Sequence, residues 1–151
     1  MSNKIKAIII EDEVPAQELI KSYLESDNDI ELIDILEDGY QGLKAINEHK
    51  PDILFLDIQT PKLTGFEVLE LMDADPVVIF STAYDEYAIK AFENNTADYL
   101  LKPYSKSRFD EALQKAKQKL DLPKVEKRND FAPESINRIV VKTRDKLSEM
   151  K

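Results

Sequence analysis

Cysteine is absent from the 151-residue chain, which removes disulfide frameworks and thiolate metal sites and fits a reducing compartment. Apolar runs are short. No stretch approaches the ~18 consecutive apolar residues of a membrane-spanning helix, and the run Ile5 to Ile10, stopped at once by Glu11, is too brief for a signal peptide. The cytoplasm is therefore the expected location, without a membrane partner. Histidine occurs only once, as His49. Basic side chains are scarce in the larger part of the chain: residues 1 to 120 carry 13 basic and 24 acidic groups, net −11, against 8 and 6, net +2, in residues 121 to 151. The larger part repels nucleic-acid phosphates. Internal repeats and low-complexity tracts are missing too.

What is present is an alternation of two kinds of segment, in a chain long enough for one domain and a short appendage. Lys6 to Ile10, Glu31 to Leu36, Asp52 to Leu56, Val77 to Ser81 and Asp98 to Leu101 read as buried strands rich in Ile, Val and Phe. Helical spacing fills the gaps. Ala16, Leu19, Ile20, Tyr23 and Leu24 recur at i, i+3, i+4, i+7 and i+8, with Pro15 in the first turn, where its missing N–H costs nothing. Tyr84, Tyr87, Ala88, Ala91 and Phe92 repeat the stripe, and Phe109, Ala112, Leu113, Ala116 and Leu120 form a last one; shorter helices are expected over Tyr40 to Glu48 and Gly65 to Met72.

This predicts an α/β fold, a five-stranded parallel sheet doubly wound as (βα)5, because right-handed crossovers cover both faces. The flavodoxin-like strand order 2-1-3-4-5 is the common solution for five strands and is adopted on that ground, not read from the residues. After residue 120 the pattern fails. Residues 121 to 135, with Pro123 and Pro133 among mixed charges, read as a linker, and Ile136 to Lys142 reads as one further strand.

Ligands of such sheets bind beyond the carboxyl ends of the strands. There the sequence places Glu11, Asp12 and Glu13 after strand 1, Asp57 after strand 3, Ser81 and Thr82 at the end of strand 4, and Lys102 before Pro103 after strand 5. Carboxylates gathered in this way need a cation, since two charges ~4 Å apart at an effective dielectric of ~20 repel by about 4 kcal/mol. Oxygen donors without His or Cys favour a hard ion, and Mg²⁺ suits a site of few protein ligands better than Ca²⁺. With Lys102 as a second, fixed positive charge, the group has what a phosphoryl acceptor requires. Asp57, closing a buried strand, is the expected nucleophile; Glu11 and Asp12 are expected to anchor the metal.

Ile10-Glu11-Asp12-Glu13, Asp57-Ile58-Gln59-Thr60-Pro61 with Gly65, Ser81-Thr82-Ala83 and Asp98-Tyr99-Leu100-Leu101-Lys102-Pro103 together resemble the receiver domains of two-component response regulators, over about residues 5 to 120. The resemblance implies that Asp57 takes a phosphoryl group from a histidine kinase and that Mg²⁺ binds Asp12, Asp57 and the Gln59 carbonyl, supported by Glu11. It also implies that Thr82 and Tyr99 are a switch pair, that Lys102 contacts the phosphate, and that the peptide before Pro103 is cis. Thr60 stands where the family commonly has Met; it neither supplies nor removes a ligand.

Tyr84 to Ala88 through Ala91-Phe92, with the segment around Lys102, is similar to the LytTR-type subgroup, whose members carry a β-rich DNA-binding domain after the receiver. Residues 136 to 151, with Asn137 to Lys142, are similar to the truncated start of that domain. The partners implied are a sensor kinase, a second copy of the chain when phosphorylated, and DNA only through the remainder of the second domain.

Plainer roles and rival functions stand beside these. Glu11 to Glu13 also suit a helix N-terminus, Thr82 also suits a helix cap, and His49, before Lys50-Pro51 at the opposite rim, reads as an exposed loop residue. A phosphohydrolase with an aspartyl-phosphate intermediate uses a second Asp two residues after the nucleophile, where Gln59 stands and cannot donate a proton in that way. A flavin carrier needs a Ser/Thr/Gly phosphate loop after strand 1, where the chain has acids. A stand-alone adaptor without a DNA-binding half is the third rival; a receiver of any kind is expected to be a switch and not a turnover enzyme.

Overall fold

The computed structural model describes residues 4–91 and 95–121. Within them strands and helices alternate as β1 (Ile5–Ile10), α1 (Val14–Leu24), β2 (Ile30–Leu36), α2 (Gly39–His49), β3 (Ile53–Leu56), α3 (Gly65–Leu71), β4 (Val77–Thr82), α4 (Ala88–Ala91), β5 (Thr96–Leu101) and α5 (Lys106–Asp121). All strand pairs are parallel and the order is β2-β1-β3-β4-β5, the expected doubly wound sheet. Every strand therefore ends at the same rim. β1 and β3 lie side by side, and there the winding changes direction and leaves a crevice.

The period of two along the strands sorts their side chains into two cores. Ala7, Ile9, Ile53, Phe55, Val77 and Ile79 face one way and pack with Ile20 and Leu24 of α1 and with Phe109, Ala112, Leu113 and Ala116 of α5. Their neighbours Ile8, Ile10, Leu54, Leu56, Val78 and Phe80 face the other way, against Ala45 and Ile46 of α2 and Val68 of α3. The three central strands are thus covered on both sides. The edge strands β2 and β5 are only partly buried, unlike the fully covered strands the sequence suggested.

Local signals mark the starts of three helices. Pro15 occupies the first turn of α1, the Asp38 side chain caps α2 by accepting from the Gln41 N–H at 2.7 Å, and Thr64 and Glu67 form a reciprocal capping box on α3. Most boundaries fall within one residue of the sequence reading, and two starts lie further off. The helical stripe expected from Tyr84 onward is helical from Ala88, with Tyr84 to Tyr87 in the turn before it. β5 begins at Thr96, ahead of Asp98, because the buried Thr96 hydroxyl donates to the Ala91 carbonyl at 2.6 Å and so satisfies a polar group the apolar pattern cannot count.

α5 closes at Asp121, the first residue of the expected linker. Phe92, the rest of the 121 to 135 segment and the strand expected over Ile136 to Lys142 lie outside the described residues. Among the described residues no helix is long and apolar enough to cross a membrane.

Candidate functional site

Glu11 leaves β1 at the rim and is 1% exposed. Its backbone is held on both sides, its N–H donating to the Leu36 carbonyl at 2.9 Å and its carbonyl accepting from Nε2 of the buried Gln17 at 2.7 Å. The side chain is fixed as well: Oε2 accepts from the Glu13 N–H at 3.2 Å and Oε1 from Lys102 Nζ at 2.7 Å. Asp57, 6% exposed, follows β3 and donates its N–H to the Ile10 carbonyl at 3.1 Å. Its Oδ2 accepts from the same Lys102 Nζ at 3.1 Å and its Oδ1 from the Gln59 N–H at 3.3 Å.

Asp12 is exposed on the open side, and carboxylate oxygens of Glu11, Asp12 and Asp57 all lie within 4.8 Å of one another. Glu13 Oε1 adds a further negative charge 3.8 Å from Lys102 Nζ. One ammonium thus faces an excess of carboxylates. Burial pushes the Glu11 carboxyl up, the Lys102 hydrogen bond pulls it back and the Asp57 charge pushes it up again, to about 7. Burial lowers the Lys102 ammonium, but the Glu11 hydrogen bond and the charges of Asp57 and Glu11 outweigh it and leave the group raised. The Glu11 shift is set first by burial and then by the Asp57 charge, and the Lys102 shift by its two carboxylate partners. Oxygen donors only, a solvent-facing edge at Asp12 and that excess of carboxylates fit a hard divalent cation such as Mg²⁺.

Thr82 and Tyr99 do not meet the acids directly in the same way; they meet at Tyr84. The buried Thr82 Oγ1 accepts from the Tyr84 N–H at 3.4 Å, and the Tyr99 hydroxyl donates to the Tyr84 carbonyl. Burial raises the Tyr99 phenol, which keeps it a donor. Gln59 sends its side chain outward, Nε2 donating to the Tyr87 hydroxyl at 3.2 Å. The Lys102–Pro103 peptide is cis. His49 ends α2, before β3, at the opposite rim.

Sequence reasoning named Ser81 and Asp98 without giving either a partner, and passed over Tyr104 and Arg108. Ser81 Oγ and the Tyr104 hydroxyl share a hydrogen bond of 2.7 Å. Asp98, buried on β5, accepts from Arg108 Nη1 at 2.7 Å and Nη2 at 2.9 Å, with Lys115 Nζ 3.3 Å away. Such pairs join different elements and leave no periodic trace. The only available hints were an acid inside an apolar strand and a hydroxyl at a buried strand end.

Comparison with known proteins agrees with this geometry. The family model described as "Response regulator receiver domain" matches residues 7–114. The Transcriptional regulatory protein BtsR of Escherichia coli K12 is 40% identical over 116 residues, 76% of this chain and 48% of that protein. An uncharacterized response regulatory protein of Vibrio vulnificus is 50% identical over 106 residues, 69% of this chain and 44% of that protein. The chain spans about half the length of these curated relatives. Among solved structures, the response regulatory domain of mrkE from Klebsiella pneumoniae superposes with a TM-score of 0.70 at 36% identity, covering 76% of this chain and 97% of that one. With the acids of β1 and β3 and the β5 lysine gathered at one rim of a 2-1-3-4-5 sheet, and with relatives of this kind, the chain belongs to the response regulator receiver domains.

Proposed function

We propose that this receiver accepts a phosphoryl group on Asp57 from the phosphohistidine of a sensor kinase in a Mg²⁺-dependent step. The observation that carries the reading is the single ammonium of Lys102, 2.7 Å from Glu11 and 3.1 Å from Asp57, beside the third carboxylate of Asp12. Glu11, Asp12 and Asp57 would hold the ion, with the Gln59 carbonyl as the further oxygen the family resemblance implies. When bound, Mg²⁺ supplies positive charge against the phosphoryl oxygens.

The chain's own residues do the rest. Asp57, hydrogen-bonded by Lys102, presents a carboxylate oxygen to phosphorus; that P–O bond forms as the P–N bond to the kinase histidine breaks, and the electron pair leaves with the imidazole nitrogen. Lys102 neutralises charge on the transferred group. Thr82 donates its hydroxyl to the new phosphoryl oxygens and gives up the Tyr84 N–H, and Tyr99 moves into the space Thr82 leaves. The face built by α4, β5 and α5 changes shape and pairs with a second copy.

The output is transcription control through a LytTR-type DNA-binding domain, of which residues 136 to 151 are the start, reached by the linker that follows α5, in the cytoplasm. The name and greater length of the Escherichia coli relative support this over a stand-alone adaptor. Acetyl phosphate with Mg²⁺ should add one phosphoryl mass to the chain. The addition should vanish in Asp57→Asn, and an unchanged yield in that variant removes the assignment.

A further inference from the structure

Lys102 serves the proposed chemistry only if its backbone is held while the long side chain bridges two acids. On its N-terminal side it is held by the sheet, its N–H donating to the Thr82 carbonyl at 2.8 Å. On its C-terminal side Pro103 has no N–H to give. The next anchor is Tyr104, and it is tied twice: its hydroxyl to Ser81 Oγ at 2.7 Å, and its carbonyl, as acceptor, to the Tyr23 hydroxyl of α1 at 3.2 Å. Its ring stacks on Phe109 of α5 with centroids 6.4 Å apart and planes at 14°.

Ser81 is 1% exposed and precedes Thr82 in β4. Successive strand residues point to opposite faces, so the end of β4 sends one hydroxyl to each side of the sheet. That of Thr82 goes to the Tyr84 turn, and that of Ser81 to the loop carrying Lys102. A hydroxyl buried at a strand end and closed onto a phenol two residues beyond the essential ammonium is a fastening at the right place. Burial raises the Tyr104 phenol, so it stays neutral and hydrogen-bonded at neutral pH.

We propose that Tyr104 and Ser81 are positioning residues for phosphoryl transfer, their shared hydrogen bond fixing the loop that sets Lys102 between Glu11 and Asp57. This rests on the reading of Asp57 as the acceptor. The test uses the full chain, with Tyr104→Phe, Ser81→Ala and the double variant, in two measurements. One is the rate of mass addition from acetyl phosphate at saturating Mg²⁺; the other is the NMR signal of the Lys102 Cε methylene.

Each single variant should be about five- to tenfold slower, the loss of one buried hydrogen bond, and should move the Lys102 signal. The double variant should be no slower than either single one, because both remove the same bond. Wild-type rates in both single variants, an unmoved Lys102 signal, or a double variant slowed by the product of the two factors would each overturn the positioning role while leaving the acceptor reading intact. A wild-type chain that gains no mass overturns the acceptor reading, and this inference with it. Ser81→Ala keeps the question answerable should Tyr104→Phe fold poorly.

Discussion

A missing side chain shapes the loop after the acceptor. At Gly65 a Cβ would sit 2.7 Å from the Asp57 carbonyl oxygen and 3.1 Å from the Ile58 Cα, backbone atoms that cannot swing aside. Gly65→Ala should therefore lower stability by about 1–3 kcal/mol in urea unfolding, the usual penalty of overpacking; an unchanged midpoint would mean that the loop yields freely. Asp98 offers a second test. Burial pushes its carboxyl up, but hydrogen bonds from Arg108 and the Tyr99 N–H, with the Arg108 charge, outweigh burial and hold it below its ordinary value. A carboxyl lowered on folding contributes stability above its unfolded value of about 3.9, lost as pH falls through the folded value. Asp98→Asn should cost about 1–2 kcal/mol at pH 7, with Arg108 partly exposed and screened. As pH falls below about 4 the gap between the two proteins should narrow progressively, and a gap unchanged by acid would refute the ionic origin.

Among the elements, α3 depends most on its start, having only seven residues. Thr64 Oγ1 accepts from the Glu67 N–H at 3.2 Å and Glu67 Oε1 from the Thr64 N–H at 2.8 Å. Thr64→Ala should cost about 1 kcal/mol by urea unfolding, and a cost near zero would show the box to be ornamental. The same scale shows what could be read in the sequence. Ala7 to Ile10 of β1, all of β3 and Val77 to Phe80 of β4 are unbroken apolar runs; Glu11 and Asp57 follow the first two and Thr82 closes β4, so all three were legible from position alone. Lys102 was legible from the Pro that follows it. The start of α4 was not, because Tyr84 and Tyr87 continue an apolar stripe while bonding through polar atoms to Tyr99 and Gln59. Nor were Ser81 with Tyr104, or Asp98 with Arg108 and Lys115, since contacts across elements obey no period.

For the molecule as a whole, the proposed consequence of phosphorylation is association between copies. The side formed by α4 and β5 leaves Ile89 87% and Leu101 44% exposed, apolar surface that a partner would cover. Sedimentation velocity in the presence of Mg²⁺ and the phosphate mimic beryllofluoride should show tighter self-association than in its absence, and identical sedimentation would count against it. The one-way sheet has a further practical consequence. All five strands end at one rim, so the end of α2 near the exposed Glu48 lies at the other. Since the chain has no thiol of its own, a single cysteine introduced at Glu48 would take a fluorescent dye at one place only, remote from the acceptor carboxylate.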